Sequence, residues 1–413
     1  MSVLVETLVP HRLGIGFRWL LASSWISNLG DGIALAAGPL LVASQTRDPF
    51  LVALAVVVQQ LPWLLFTLFA GAFADRADRK QIVVAVDVMR AGVLAMLSLT
   101  IATDIVSVPL VLGALFVLGT AEVFADNASG TLLPMLVPRP HLATANARMM
   151  TGFLTVNQLA GPPIGAALFT AGAAWPFVMQ AVLVAMGAVL ISRIALPTQI
   201  RERALSRSAR KDIAAGFRWV RHHAAVRTLV LTIFAFNITF GAAWSVLVLY
   251  ATERLGMGEV GFGLLTTSMA VGGLAGTASY GWITRRVSLG DLMRIGLIVE
   301  TLTHLALALA TSPAFALGIF FVFGAHAFIW GTTSVTVRHG SVPTELQGRV
   351  GSVNSLGTYG GLVAGSALGG VIARQWGVTA PFWFAFVGSA VFVVLIWRQL
   401  AHIAHADDEA SGC

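Results

Sequence analysis

Apolar runs of about 20 residues, each long enough to cross the hydrocarbon core as a helix, recur along the whole chain. That recurrence limits the fold more than any single residue does. Counting in such steps gives spans near 18–44, 50–74, 81–103, 107–127, 144–171, 175–196, 226–250, 259–283, 291–311, 313–334, 351–373 and 379–400. Only 11% of residues are charged, against 57% hydrophobic, and mean hydropathy is +0.82. A water-soluble protein of this length needs far more charge on its surface, so lipid solvates this chain. The expected class is an all-α membrane protein with twelve transmembrane helices.

The runs fall into two sets. Asp87-Val-Met-Arg90-Ala-Gly92 returns as Asp291-Leu-Met-Arg294-Ile-Gly296, each copy opening an apolar run. Arg18 and Arg227, Asn28 and Asn237, Gly32 and Gly241, Gly71 and Gly281, and Pro138 and Pro343 keep nearly the same interval, about half the chain. Two pseudo-symmetric six-helix bundles in tandem are therefore expected, with a substrate site between them near the bilayer midplane. The corresponding domains are 1–196, a linker at 197–225, 226–400 and a tail at 401–413.

A formal charge of +7 raises the question of nucleic acid, and the placement of the cations argues against it. Of the 26 Lys and Arg, only Arg47, Arg254 and Arg374 fall on one side of the expected topology. All others fall on the opposite side, so the positive-inside rule puts both termini in the cytoplasm of a multi-pass plasma-membrane protein. The first apolar run is too long for a cleavable leader and reads as a retained signal anchor. The single cysteine, Cys413, excludes an intrachain disulfide framework. Within the linker, Ile213, Phe217 and Val220 recur at helical spacing beside Arg218 and Arg221. That pattern predicts an amphipathic helix on the inner leaflet, with membrane lipid as its partner. Neither lysine, Lys80 or Lys211, stands in a phosphate-binding loop, and no cofactor is expected.

Between the second and third spans runs Gly71-Ala-Phe73-Ala-Asp75-Arg76-Ala-Asp78-Arg79-Lys80, with a degenerate partner at Gly281-Trp-Ile-Thr-Arg285-Arg286. This loop resembles the signature of the major facilitator superfamily, with Asp78 where that family usually carries glycine. Asp87-x-x-Arg90, Leu133–Pro138, Ala145-Asn146, Gly216-Phe-Arg-Trp and Val342-Pro343-x-Glu345-Leu-x-Gly348-Arg349 are similar to its branch of enterobactin exporters and macrolide efflux proteins. The resemblance implies the major facilitator fold, alternating access and export driven by the proton gradient. It also implies a cytoplasmic gate at Gly71, Asp75, Arg76, Arg79, Lys80, Asp87, Arg90 and Asp126. In the fifth span, Gly161-Pro162-x-x-Gly165 resembles the antiporter motif of drug exporters; small-residue helix packing reads equally well. The fourth span lacks the arginine that several drug/proton antiporters carry there.

An ionisable side chain inside the hydrocarbon costs at least ~2.5–3.5 kcal/mol, so each one calls for a role. Asp31, flanked by Gly30 and Gly32, is a candidate for proton coupling or substrate binding, or a fixed hydrogen-bond partner of another helix. Glu122 and Asp126 share a helix face; Asp126 is expected to pair with Arg76, Arg79 or Arg90, leaving Glu122 for the cavity. Glu300 and His304 are likewise four apart, as a proton relay or a helix clamp, while His326 and Trp330 read as packing residues. Asn28, Gln59, Gln60, Asn157, Gln158, Asn237 and Trp244 are cavity candidates. No catalytic set and no metal-ligand spacing stand out, so an enzyme is not expected. The expected function is a monomeric, proton-coupled exporter of a small, largely hydrophobic organic compound such as a drug, antibiotic or siderophore. The alternatives are an importer or lipid flippase on the same scaffold, or a membrane sensor.

Overall fold

The structure, a computed structural model, describes residues 13–74, 77–195 and 209–400. Asp75 and Arg76 of the expected gate, the linker before residue 209 and the tail 401–413 lie outside the described residues. Every regular element among those described is helical. In chain order these are α1 (Gly14–Gln45), α2 (Pro49–Ala74), α3 (Arg79–Ala102), α4 (Val108–Leu136), α5 (Leu142–Gly152), α6 (Gly161–Ala171) and α7 (Trp175–Ser192). There follow α8 (Ala209–His222), α9 (Ala224–Trp244), α10 (Glu259–Ile283), α11 (Leu289–Leu309), α12 (Pro313–Ser341), α13 (Gln347–Trp376) and α14 (Ala380–Ile396).

Ten helices among the described residues are long and apolar enough to cross a membrane: α1 to α4, α7 and α9 to α13. The two remaining expected crossings are built differently. α14 is an apolar helix of 17 residues. The stretch from α5 to α6 is interrupted by eight residues of π-helix, Phe153–Ala160. Pro162 and Pro163 explain the interruption. Neither has an N–H to return to the preceding turn, and the ladder widens until the Gly161 N–H bonds the Val156 carbonyl, five residues back. Pro109, Pro176, Pro313 and Pro381 instead sit in the first turn of a helix, where the missing donor has no partner to lose, while Pro39, Pro62 and Pro134 lie inside α1, α2 and α4.

The chain divides into two compact units, the first drawn from residues 1–45 and 65–206 and the second from 46–64 and 207–413. In the first unit Phe17, Leu20 and Leu21 of α1 pack with Ala128 and Leu132 of α4 and Ile191 of α7. α6 meets α1 backbone to backbone: a Cβ at Gly161 would overlap Gly32, and one at Gly165 would overlap the Ile33 carbonyl. Small contact residues of this kind let helices associate in lipid, where no hydrophobic force between them operates.

In the second unit Leu229, Ile233 and Phe236 of α9 join Met293 and Leu297 of α11 and Val337 of α12. Gly361 and Gly365 of α13 lie against the α9 backbone in the same close manner. Residues 46–64 also belong here. Phe50 and Ala53 press on Gly370, Asp48 pairs with Arg374 at 3.7 Å, and Trp63 stacks on Tyr359 with ring centroids 5.4 Å apart.

A helix is present in the linker as α8, with Ile213, Phe217 and Val220 at steps of four and three residues along it. Val220 is buried with Val226, Val342, Val350 and Val353, whereas Phe217 is 64% exposed. Gly216 lies against the α13 backbone at Arg349.

Candidate functional site

The polar residues of the first unit converge on a cavity of about 540 Å³ lined by α1, α3, α4, the α5 end and the π-helical stretch. Helical periodicity assembles its walls. Ser23, Ser24, Ser27, Asn28 and Asp31 follow one another at three- and four-residue steps along α1, and Glu122, Asp126, Ser129 and Gly130 do so along α4. Val83, Asp87 and Arg90 come from α3, and Asn146, Met149, Met150, Phe153 and Asn157 complete the lining.

Arg90 is the centre of charge. Only 4% of it is exposed. One guanidinium nitrogen bonds the Asp31 carboxylate across the unit, and the other lies 3.3 Å from Asp87 on the same helix. Its Nε has no hydrogen-bond partner among the described residues. Glu122 and Asp126 complete the set of four carboxylates whose charge Arg90 feels. Asp87 is buried, Asp31 and Glu122 are half-buried, and Asp126 is exposed. With all four carboxylates ionised, one guanidinium leaves the cluster net negative, and solvent reaches it at Asp126 and in part at Asp31 and Glu122.

Asp31 is placed by close packing. On one side, a Cβ at Gly30 would meet Gln180 of α7 at 3.3 Å; on the other, one at Gly32 would overlap the Asn157 backbone. Gln180 donates to the Asp31 carboxylate at 3.3 Å. Asn157 donates to the Asn28 carbonyl at 3.1 Å, and Gln158 to the Asn157 side-chain oxygen at 2.6 Å. The π-helical stretch thus carries the residues that steady α1 around Asp31, in keeping with the frequent use of π-helix at functional positions. Gly161, Pro162 and Gly165 stand one turn beyond, where the two glycines press on α1.

The expected gate residues do not stay together. Asp87 and Arg90 belong to the cavity, with Asp31 as a partner that the sequence does not reveal. Gly71 lies near the end of α2, 3.8 Å from Asn127 when given a Cβ. At the start of α3, Arg79 reaches the Ala74 carbonyl at 3.4 Å and the Met135 sulfur at 3.3 Å, and Lys80 holds the Ile194 carbonyl at 2.7 Å. Asp78, the departure from the family signature, caps α3: its carboxylate accepts from the Gln81 N–H at 3.1 Å.

The remaining candidates lie in the second unit. Gln59 and Gln60 are half-buried on α2, and Asn237 bonds the Ile233 carbonyl of its own helix at 2.7 Å. Trp244 stacks with Phe240, centroids 4.7 Å apart. Glu300 faces His326 of α12 at 3.6 Å, a contact that is ionic only with the imidazole protonated. No group of His, Cys, Asp or Glu among the described residues could hold a metal ion.

A polytopic helical protein with a charged, half-buried cavity in one unit is the kind of structure that solute carriers of the major facilitator superfamily have. The sequence model for the transmembrane secretion effector family of that superfamily matches residues 5–412, and the chain belongs to this family. It is 26% identical to the multidrug efflux pump Tap of Mycolicibacterium fortuitum over 88% of this chain and 90% of Tap. It is 24% identical to the enterobactin exporter EntS of Shigella boydii, covering 92% of each. Among solved structures, a bacterial homologue of the iron transporter ferroportin, in an inward-facing state, shares the fold with a TM-score of 0.74, 16% identity and 93% and 98% coverage. The protein is thus a multi-pass membrane transporter for small molecules.

Proposed function

We propose that this transporter is a proton-driven exporter of small amphipathic organic compounds, of the drug, antibiotic or siderophore type. It crosses the membrane twelve times in two six-helix halves, keeps both termini in the cytoplasm and works as a monomer by alternating access. The observation that carries this reading is the excess of carboxylates around Arg90 in a cavity open to a solute.

The chemistry follows from charge. With Asp31 ionised, Arg90 is held by Asp31 and Asp87. A proton on Asp31 ends that attraction and leaves the guanidinium to Asp87 and the α4 carboxylates, which changes what α1 and α3 hold in common. Two packings whose balance depends on one proton are what alternating access needs. The cargo's polar end meets the serines, asparagines and carboxylates, while its apolar part lies along Met149, Met150 and Phe153. The Asp78–Lys80 turn and the partners of Arg79 and Lys80 supply contacts that hold one of the two packings. Two exporters among the relatives favour the outward direction over import.

Transport into inverted membrane vesicles tests this. An imposed proton gradient is expected to drive accumulation of at least one compound from a panel of antibiotics and siderophores, and Asp31→Asn to abolish it. Accumulation that ignores the gradient, or survives Asp31→Asn, removes the coupling part.

A further inference from the structure

We propose that the second unit contains a proton-binding site of its own, formed by Glu300 and His326 with His304 beside them. Glu300 of α11 and His326 of α12 approach to 3.6 Å, with side chains 13% and 7% exposed. Gly296, one turn before Glu300, makes the approach feasible: a Cβ there would lie 3.1 Å from the His326 ring. His304, one turn beyond Glu300, is 2% exposed, and neither of its ring nitrogens has a hydrogen-bond partner among the described residues. Phe240, Trp244, Phe320 and Phe323 wall it in. A neutral imidazole always presents one N–H and one lone pair, and His304 uses neither among the described residues, four positions from Glu300 on the same helix.

Among the described residues of the second unit, no fixed cation is paired with Glu300. α14 has no charged residue, and on α10 only Glu259 and Tyr280 titrate. α9 carries only Arg227, at its start. On α12 itself, Arg338 and His339 stand three turns past His326, and on α11 Asp291 and Arg294 pair with each other at 3.0 Å. Among the described residues, the positive charge paired with Glu300 is therefore that of a protonated His326, and losing it leaves the carboxylate without that partner. The repeat supports the assignment independently. Asp87 and Asp291, and likewise Glu122 and His326, stand 204 residues apart, so both halves place a titratable side chain at the same position. The site adds a second proton, in unit 2, to the one proposed for the Arg90 cluster. It depends neither on the cargo nor on whether Asp31 couples.

The test is a proton count on the purified full-length protein from roughly pH 5 to 8, where imidazole changes charge. His326→Gln is expected to lower the count by one in the wild-type background and to have no further effect on top of Glu300→Gln, while Asp31→Asn leaves that decrement in place. An equal count for wild type and His326→Gln overturns the proposal. Should either variant misfold, the unmodified chain decides. With ring-¹⁵N histidine and ¹³C-carboxyl glutamate, one histidine and one glutamate are expected to titrate at a common midpoint in the NMR spectrum. No such coincident pair among the nine histidines overturns it equally.

Discussion

The two copies of Asp-x-Met-Arg make the same local contact in opposite surroundings. Arg90 lies 3.3 Å from Asp87 with both side chains 5% exposed, while Arg294 lies 3.0 Å from Asp291 with exposures of 26% and 57%. Helix start points account for the difference. α3 begins at Arg79 and α11 at Leu289. At 1.5 Å per residue, Asp87 is therefore ~12 Å into its helix and Asp291 only ~3 Å. The inner copy reaches Asp31 on α1; the outer one meets Ser288, whose hydroxyl donates to the Asp291 carboxylate at 2.8 Å, and Trp397, 5.7 Å from the Arg294 guanidinium. A duplicated motif thus gives a structural centre in one half and a surface pair in the other.

The sharpest way to break this comparison is to remove both arginines separately. Arg90→Ala leaves Asp31 and Asp87 without their counter-ion in a dry environment, and a loss of about 3–5 kcal/mol is expected. Arg294→Ala removes an exposed pair and is expected to cost about 1 kcal/mol or less. Thermal unfolding in detergent reads both. Similar shifts for the two variants would mean that depth along the helix is not what distinguishes the copies.

Asp31→Asn is expected to act on function more than on stability, because the amide oxygen still accepts from Arg90 while the charge is gone. Gradient-driven accumulation should fall at least ~10-fold, about 1.4 kcal/mol in the rate, with a small change in melting temperature. Equal losses in folding and transport would make Asp31 a structural residue.

The same contrast explains what could be read from the chain. Hydrophobic run length placed the long helices, since lipid demands about 20 apolar residues whatever the fold. Pro162-Pro163 hinted at the irregular fifth segment, although proline alone does not distinguish a kink from a π-helix. Of the α1 lining, Asn28 and Asp31 stand out in the sequence as an amide and a carboxylate in an apolar run, whereas Ser23 and Ser27 do not. Arg90 was assigned to a gate instead, as nothing local to Asp87–Arg90 separates it from Asp291–Arg294. Its second carboxylate partner, Asp31, is 59 positions away in the chain. Glu300 shows the same limit. His304 lies four residues on along its own helix, yet the measured approach is to His326 on the next one.

A smaller effect sharpens the energetic side of the comparison. A double-mutant cycle on Asp87 and Arg90 isolates the pair from the rest of the cluster. Coupling above about 1 kcal/mol is expected there, because water does not screen the charges. For Asp291 and Arg294 the exposed, helical i,i+3 geometry predicts about 0.2–0.5 kcal/mol, falling further in high salt. Salt dependence in the first pair would mean that the cavity admits solvent ions to Arg90.

The smallest effect concerns the residues that start the two helices. Asp78 caps α3 by accepting from Gln81, and Ser288 caps α11 by accepting from the Asp291 N–H at 3.1 Å. Ala at either position removes the acceptor and is expected to cost about 1 kcal/mol, while Gly costs only a few tenths because it adopts the cap conformation freely. Asp78→Gly restores the residue that the superfamily signature usually carries, so near-neutrality would show how the family tolerates both. A loss in Asp78→Gly as large as in Asp78→Ala, measured by thermal unfolding, would mean that the carboxylate does more than cap α3. Its charge would then belong with Arg79 and Lys80 in holding the turn that joins α2 to α3.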